Sequence, residues 1–224
     1  MNVNRPIKAV LQVDFQYAER GTNMKNKKTL EMVQMAVLIA IILVMAFTSI
    51  GYIRTAGLSI SIITIPVVIG AMIIGPKAGL ILGTVFGLTS FYQCFGLDPF
   101  GATLLSINPF LTFMVCIPTR ALMGWLTGVI FNAVKKIDKT KTVCYFAGGL
   151  LGAFLNTLFF MGMLILCFWN TEYMQGLNTS LFGGVNPLAF VLGFVGVNGL
   201  LEMPAACIGG GVISKALNKA FKNL

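Results

Sequence analysis

Histidine is absent from this 224-residue chain, and only seven residues are acidic. Without imidazole there is no histidine general base, no histidine proton relay and no histidine metal ligand. Charged residues make up 10% of the sequence against 57% hydrophobic ones, whereas a soluble domain averages about 25% charged and ~45–50% apolar. So little charge cannot cover a water-facing surface, and a soluble globular protein is excluded. Disorder is excluded on the opposite ground, because it requires low hydrophobicity and high charge. The five cysteines, Cys94, Cys116, Cys144, Cys167 and Cys207, are scattered and form no CxxC pair. They read as small buried apolar groups rather than a disulfide framework or a metal site. A GxxxxGK[ST] phosphate loop is also missing, so ATP chemistry is not expected of this chain.

What the sequence does contain is a series of apolar segments. They run over Leu30–Ile50, Ile60–Ile74, Ala78–Phe95, Pro109–Val134, Val143–Trp169 and Pro187–Leu217. At roughly 20 residues per crossing this predicts an all-α integral membrane protein, a bundle of about six transmembrane helices. The second segment is short and carries Pro66, with Gly75-Pro76 at its end, so a kink or an incomplete crossing is expected there. Residues 1–23 are polar and lack the apolar core of a signal peptide. They read as an N-terminal extension or a mis-assigned start, ahead of a membrane domain over residues 24–224.

The net charge of +9 is explained by where the basic residues lie. Fourteen of the sixteen fall before segment 1, between segments 2 and 3, between 4 and 5, or at the C-terminal end of the chain from Lys215 onward. The opposite side carries only Arg54. This is the positive-inside pattern, and it puts both termini in the cytoplasm. The excess positive charge then reads as topology plus contact with anionic lipid, not as a nucleic-acid footprint.

Small residues recur at four-residue spacing: Gly79, Gly83 and Gly87 in segment 3, Gly148 and Gly152 in segment 5, and Ala36 and Ala40 in segment 1. Such stripes let helices approach closely. The glycines are expected to serve internal packing, and an outward Ala36/Ala40 stripe would suit a partner helix. The outer loops, Gly51–Leu58, Gly96–Ala102 and Asn170–Gly184, mix glycine and aromatic residues and read as flaps over a pocket.

Polar side chains inside the apolar segments need a reason, since a charge near the bilayer centre costs at least ~2.5–3.5 kcal/mol. Arg120, Asn156, Asn198 and Glu202 are such residues, on the last three segments and at similar depth. One reading is a structural clamp in which Arg120 and Glu202 neutralise each other. The other is the floor of a polar cavity, where arginine meets a carboxylate or carbonyl and asparagine offers both donor and acceptor. Asn108, Tyr92 and Trp169, at the outer level, complete the candidate substrate-binding set. No cofactor and no metal site is expected.

The motifs in order are Ala36-xxx-Ala40, Ile74-Gly-Pro-Lys-Ala-Gly79, Pro118-Thr-Arg-Ala-Leu-Met-Gly124, Leu155-Asn-Thr-Leu158 and Val197-Asn-Gly-Leu-Leu-Glu202. Over residues 28–218 the chain resembles the substrate-binding S components of energy-coupling factor (ECF) vitamin transporters. The resemblance implies a multi-pass bacterial plasma-membrane protein that binds one water-soluble vitamin in a cavity open to the outside. It implies no enzymatic activity of its own. It implies as partners a transmembrane coupling subunit, docked on the Ala36/Ala40 stripe, and two ATPase subunits. The phrases Gly87-Leu-Thr-Ser-Phe91 and Asn156-Thr-Leu-Phe-Phe-Met161 look most like pantothenate members. Riboflavin or another vitamin stays open as the substrate, and a stand-alone secondary carrier stays open as another class.

Overall fold

The structure is a computed structural model. It describes residues 28–48, 51–54, 59–140 and 142–221, with the side chains of 52–54, 59–60 and 194–201 outside the description. The polar extension over residues 1–23 lies outside the described residues. The chain divides after Val37. In the first part the described residues, 28–37, are helical throughout. The packed bundle is formed by Leu38 onward.

Helix α1 is Lys28–Phe47. A short hairpin of β1 (Tyr52–Arg54) and β2 (Ser59–Ser61) follows, antiparallel with Ile53 opposite Ile60. Then come α2 (Thr64–Ile73), α3 (Pro76–Gln93), α4 (Pro99–Ile107), α5 (Pro109–Ile137), α6 (Val143–Phe168), α7 (Glu172–Phe182) and α8 (Pro187–Phe221). The fold is thus all-helical apart from the hairpin. Among the described residues, α1, α5 and α6 are long and apolar enough to cross a membrane. A helix can span lipid because its backbone polar groups are satisfied within the segment.

The short second segment has a physical explanation. Helix α2 has ten residues and packs against α3, α5, α6 and α8. Thr64 and every residue from Pro66 to Met72 are buried. A helix apolar on all sides belongs inside a bundle, where it need not match the bilayer thickness. Gly75, at φ +128°, makes the turn into α3, and Pro76 starts that helix at the position where a missing N–H costs nothing.

The glycine stripe of α3 is internal packing, as expected. A Cβ at Gly79 would strike the backbone of Gly124, one at Gly83 the carbonyl of Arg120, and one at Gly87 the backbone of Ile117. These three absent side chains set how closely α3 approaches α5, and hence where Arg120 sits. Replacing Gly83 with leucine is therefore expected to destabilise the protein by ~1–3 kcal/mol through overpacking. Alanine at Gly162, which faces open space, should be neutral or slightly stabilising. Thermal melts of both variants in detergent check the contrast, and equal melting would refute it.

The loops that hold Gly101 and Gly176 each contain a short helix with a side-chain N-cap. Asp98 caps α4 by accepting from Gly101 N at 2.9 Å, and Thr171 caps α7 by accepting from Met174 N. Helix α7 ends on Gly183 at φ +70°, where the Asn178 side chain brackets the turn through Val185 N and O. Each of these loops supplied a cap, and a cap turns a polar connection into a helix. On the opposite side Asp138 organises the α5–α6 turn, accepting from the Thr140 hydroxyl at 2.7 Å, from Thr140 N and from Cys144 N. These hydrogen bonds, the Thr140 hydroxyl foremost, hold the Asp138 carboxyl well below the usual carboxylate range.

Candidate functional site

One cavity opens between β2, the C-terminal end of α3, α4, the first half of α5, the middle of α6 and Glu202 of α8. Its apolar wall comprises Phe100, Leu104, Val115, Phe160 and Met161. Its polar wall comprises Ser61, Ser90, Gln93, Asp98, Arg120, Asn156, Thr157 and Glu202. Cys94 and Cys116 also line it, as free thiols with sulfurs 4.0 Å apart. An apolar enclosure with a few convergent polar groups is the usual form of a small-molecule site.

Arg120 sits where α3 packs tightly on α5, its carbonyl against Gly83. Its guanidinium carbon lies 4.8 Å from the centres of both the Phe86 and the Phe160 rings. The charge is thus sandwiched between two aromatic faces, an arrangement worth ~2 kcal/mol or more when desolvated. Nη1 donates to the carbonyl of Cys116 at 3.0 Å, one turn back on the same helix. Nε is buried with no partner. The arginine is held in place by its own helix and two rings, with donor capacity left over.

Glu202 is bound differently. Its Oε1 accepts from the Thr64 hydroxyl at 2.8 Å and from Asn156 Nδ2 at 3.0 Å. Its Oε2 accepts from the Thr157 hydroxyl at 3.4 Å. The carboxylate therefore ties α8 to α2 and α6. The clamp in which Arg120 and Glu202 neutralise each other is not formed: no ion pair joins the two among the described residues. Arginine finds its partners on α5 and in aromatic faces, and glutamate finds neutral donors, so neither needs the other for local satisfaction.

Buried polar side chains are nearly always hydrogen-bonded, and exceptions call for an explanation. Among the described residues the buried polar side-chain atoms without a partner are Ser61 Oγ, Arg120 Nε, Asn156 Oδ1 and Ser214 Oγ. The first three belong to residues that line this one cavity. One is a donor, one an acceptor, and one a hydroxyl that serves as either. The residues lining the cavity thus hold both unused donors and unused acceptors.

The candidate residues separate accordingly. Arg120, Asn156 and Glu202 converge on the cavity, as the depth argument expected. Asn198 lies outside the residues whose side chains are described. Asn108, Tyr92 and Trp169 are not brought to the cavity. Asn108 instead caps α5, its Oδ1 accepting from Phe110 N and Leu111 N at 3.1 Å each. Tyr92 is 58% exposed and sets its ring edge-on to Phe47. Trp169 packs edge-on against Phe190. Asn-Pro before an apolar run is itself a capping signal, and an outer-level aromatic is as readily an anchor as a ligand contact. Ser61, Gln93 and Thr157 line the cavity without having been expected there. Gln93 is legible in the sequence as an amide ending an apolar segment, and here it donates to the carbonyl of Ala46. Ala36 and Ala40 are both exposed, whereas Ile42 and Ala46 on the same helix are buried.

Comparison with known proteins adds two findings. The family model described as ECF transporter, substrate-specific component, matches residues 30–208. A pantothenate transporter, PanT, of Leuconostoc mesenteroides subsp. mesenteroides is 28% identical over 194 residues, covering 80% of this chain and 88% of that protein.

Proposed function

From the premise that this chain belongs to the substrate-specific components of ECF transporters, we propose that its cavity binds pantothenate. Members of the family are non-enzymatic, multi-pass membrane subunits that bind a small substrate and work with an energy-coupling module. The finer assignments are ours. Helices α1, α2, α3, α5, α6 and α8 are the crossings of a six-helix bundle in the bacterial plasma membrane, with both termini cytoplasmic. The module supplies a transmembrane coupling subunit and two ATPases, and the exposed Ala36/Ala40 stripe meets the coupling subunit.

The observation that carries the substrate reading is the convergence of orphaned polar atoms on one cavity. Pantothenate has one carboxylate, one amide and two hydroxyls on a short aliphatic frame. Its carboxylate suits the unused donors of Arg120, and its hydroxyls suit Asn156 Oδ1 and Ser61 Oγ. The similarity to a pantothenate transporter points the same way. Purified protein is expected to carry pantothenate, identified by mass spectrometry, and after its removal to bind pantothenate one to one in calorimetry. A different co-purified vitamin, with no heat on adding pantothenate, would overturn the substrate while leaving the family in place.

A further inference from the structure

The amide of Asn156 offers two kinds of group, and Glu202 has already taken one. Nδ2 donates to Glu202 Oε1 at 3.0 Å, while Oδ1 is buried without a partner in a residue lining the cavity. While ionised, the carboxylate only accepts and so cannot stabilise the opposite orientation, in which Oδ1 would face it. We infer that Glu202 is a positioning residue that fixes the orientation of the Asn156 amide, so that Asn156 presents only an acceptor and the ligand group seated there must donate a hydrogen bond.

This inference rests on the reading of the cavity as the substrate site. Arg120 has only donors to give, and Asn156, so oriented, has only an acceptor. Arg120 and Asn156 then demand opposite chemistry: an acceptor, such as a carboxylate, at Arg120 and a hydroxyl or N–H at Asn156. A ligand entering the other way round would set its acceptor against Oδ1 and its donor against the guanidinium. Polarity alone thereby selects one orientation. A wrong pairing leaves buried groups unmatched, which is the strongest form of discrimination a polar site has.

Glu202 is also replaceable in a way that makes the idea testable. The hydroxyls of Thr64 and Thr157 have second acceptors, the carbonyls of Ser61 at 3.1 Å and Ala153 at 3.3 Å. Glu202→Met therefore strands neither hydroxyl and fills the same apolar interior, but it frees the Asn156 amide to turn. Glu202→Gln keeps a carbonyl that can accept from Nδ2, so the orientation of the Asn156 amide, rather than the overall affinity, should be preserved.

The test uses full-length protein in detergent and pantothenate analogues with one donor blocked each: the 2-keto compound, the 4-O-methyl ether and the N-methyl amide. In wild type at least one should bind about tenfold or more weakly than pantothenate, the loss of one hydrogen bond. That penalty should fall below about threefold in Glu202→Met, since a freed amide can donate to an acceptor-only ligand, and persist in Glu202→Gln. Penalties unchanged in Glu202→Met would overturn the inference, whatever happens to overall affinity. A second readout needs no ligand. The nitrogen-15 side-chain amide signal that vanishes in Asn156→Asp should shift in Glu202→Met and hold in Glu202→Gln; an unmoved signal would also overturn it. Should wild type not bind pantothenate at all, the substrate reading fails, and the amide signal alone decides the role of Glu202.

Discussion

Replacing Arg120 with methionine should abolish most substrate binding while the protein still folds. Methionine is unbranched and apolar, and it fills the slot between Phe86 and Phe160 that the guanidinium now occupies. The hydrogen bond to the Cys116 carbonyl is lost, but that carbonyl keeps its place in the α5 ladder. Folding therefore loses a stacked cation and gains an apolar contact. Binding loses far more. A charge-assisted hydrogen bond contributes ~1.5–3 kcal/mol, and a carboxylate left unpaired in an apolar cavity costs further. The expected outcome is a Kd at least about a hundredfold weaker, with a melting temperature within a few degrees of wild type. Arg120→Lys should fall between, because a point charge cannot reproduce a planar fork held between two rings. Calorimetry beside thermal melts separates the two effects. Wild-type affinity in the methionine variant would place the ligand carboxylate elsewhere.

The second large effect concerns α1 and leaves the cavity untouched. Ala36 and Ala40 lie four residues apart on one helix, and both are exposed. Around them Met32, Val33, Val37, Ile41 and Val44 are exposed as well. Large apolar groups facing outward suit lipid, and a small-residue stripe among them gives a flat strip on which another helix can seat. Tryptophan at Ala36 or Ala40 should fill that strip. ATP-driven uptake in vesicles containing the full transporter should then fall at least tenfold, since an interface that depends on close helix approach tolerates no bulky side chain. Substrate binding to the isolated subunit should stay within about twofold of wild type, as neither residue lines the cavity. Equal loss of binding and uptake would mean that the stripe supports the fold of this chain rather than a partner.

Both variants act on residues that the amino-acid sequence alone marks out. Arg120 stands out because a charge inside an apolar segment is costly, and Ala36/Ala40 because small residues recur at helical spacing. The three glycines of α3 follow the same logic, and the structure seats each against the backbone of α5. What the sequence hides is relational. Nothing in the spacing of Arg120 and Glu202 says that they form no direct ion pair. Opposite charges invite pairing on paper. In the bundle, two phenyl rings and a helix carbonyl reach the arginine, and two threonines and an amide reach the glutamate.

Loops tell the same story from the other side. Gly101 and Gly176 mark loops in the sequence, and a side-chain cap three residues earlier in one, and five in the other, starts a short helix there. Asn108 shows the converse: a polar residue between two helices caps α5 with its Oδ1 and does not line the cavity.

The amino-acid sequence by itself determined the class of the protein, a multi-pass helical membrane chain, and marked which polar residues fall inside apolar segments. Those follow from transfer free energies, which act residue by residue and can be summed along a chain. Only the tertiary structure decided which polar groups meet, which are already satisfied and which are left open in the cavity. Hydrogen bonds depend on distance and direction between residues far apart in sequence. Asn156 and Glu202, 46 residues apart, are brought within 3.0 Å by packing that neither residue encodes alone.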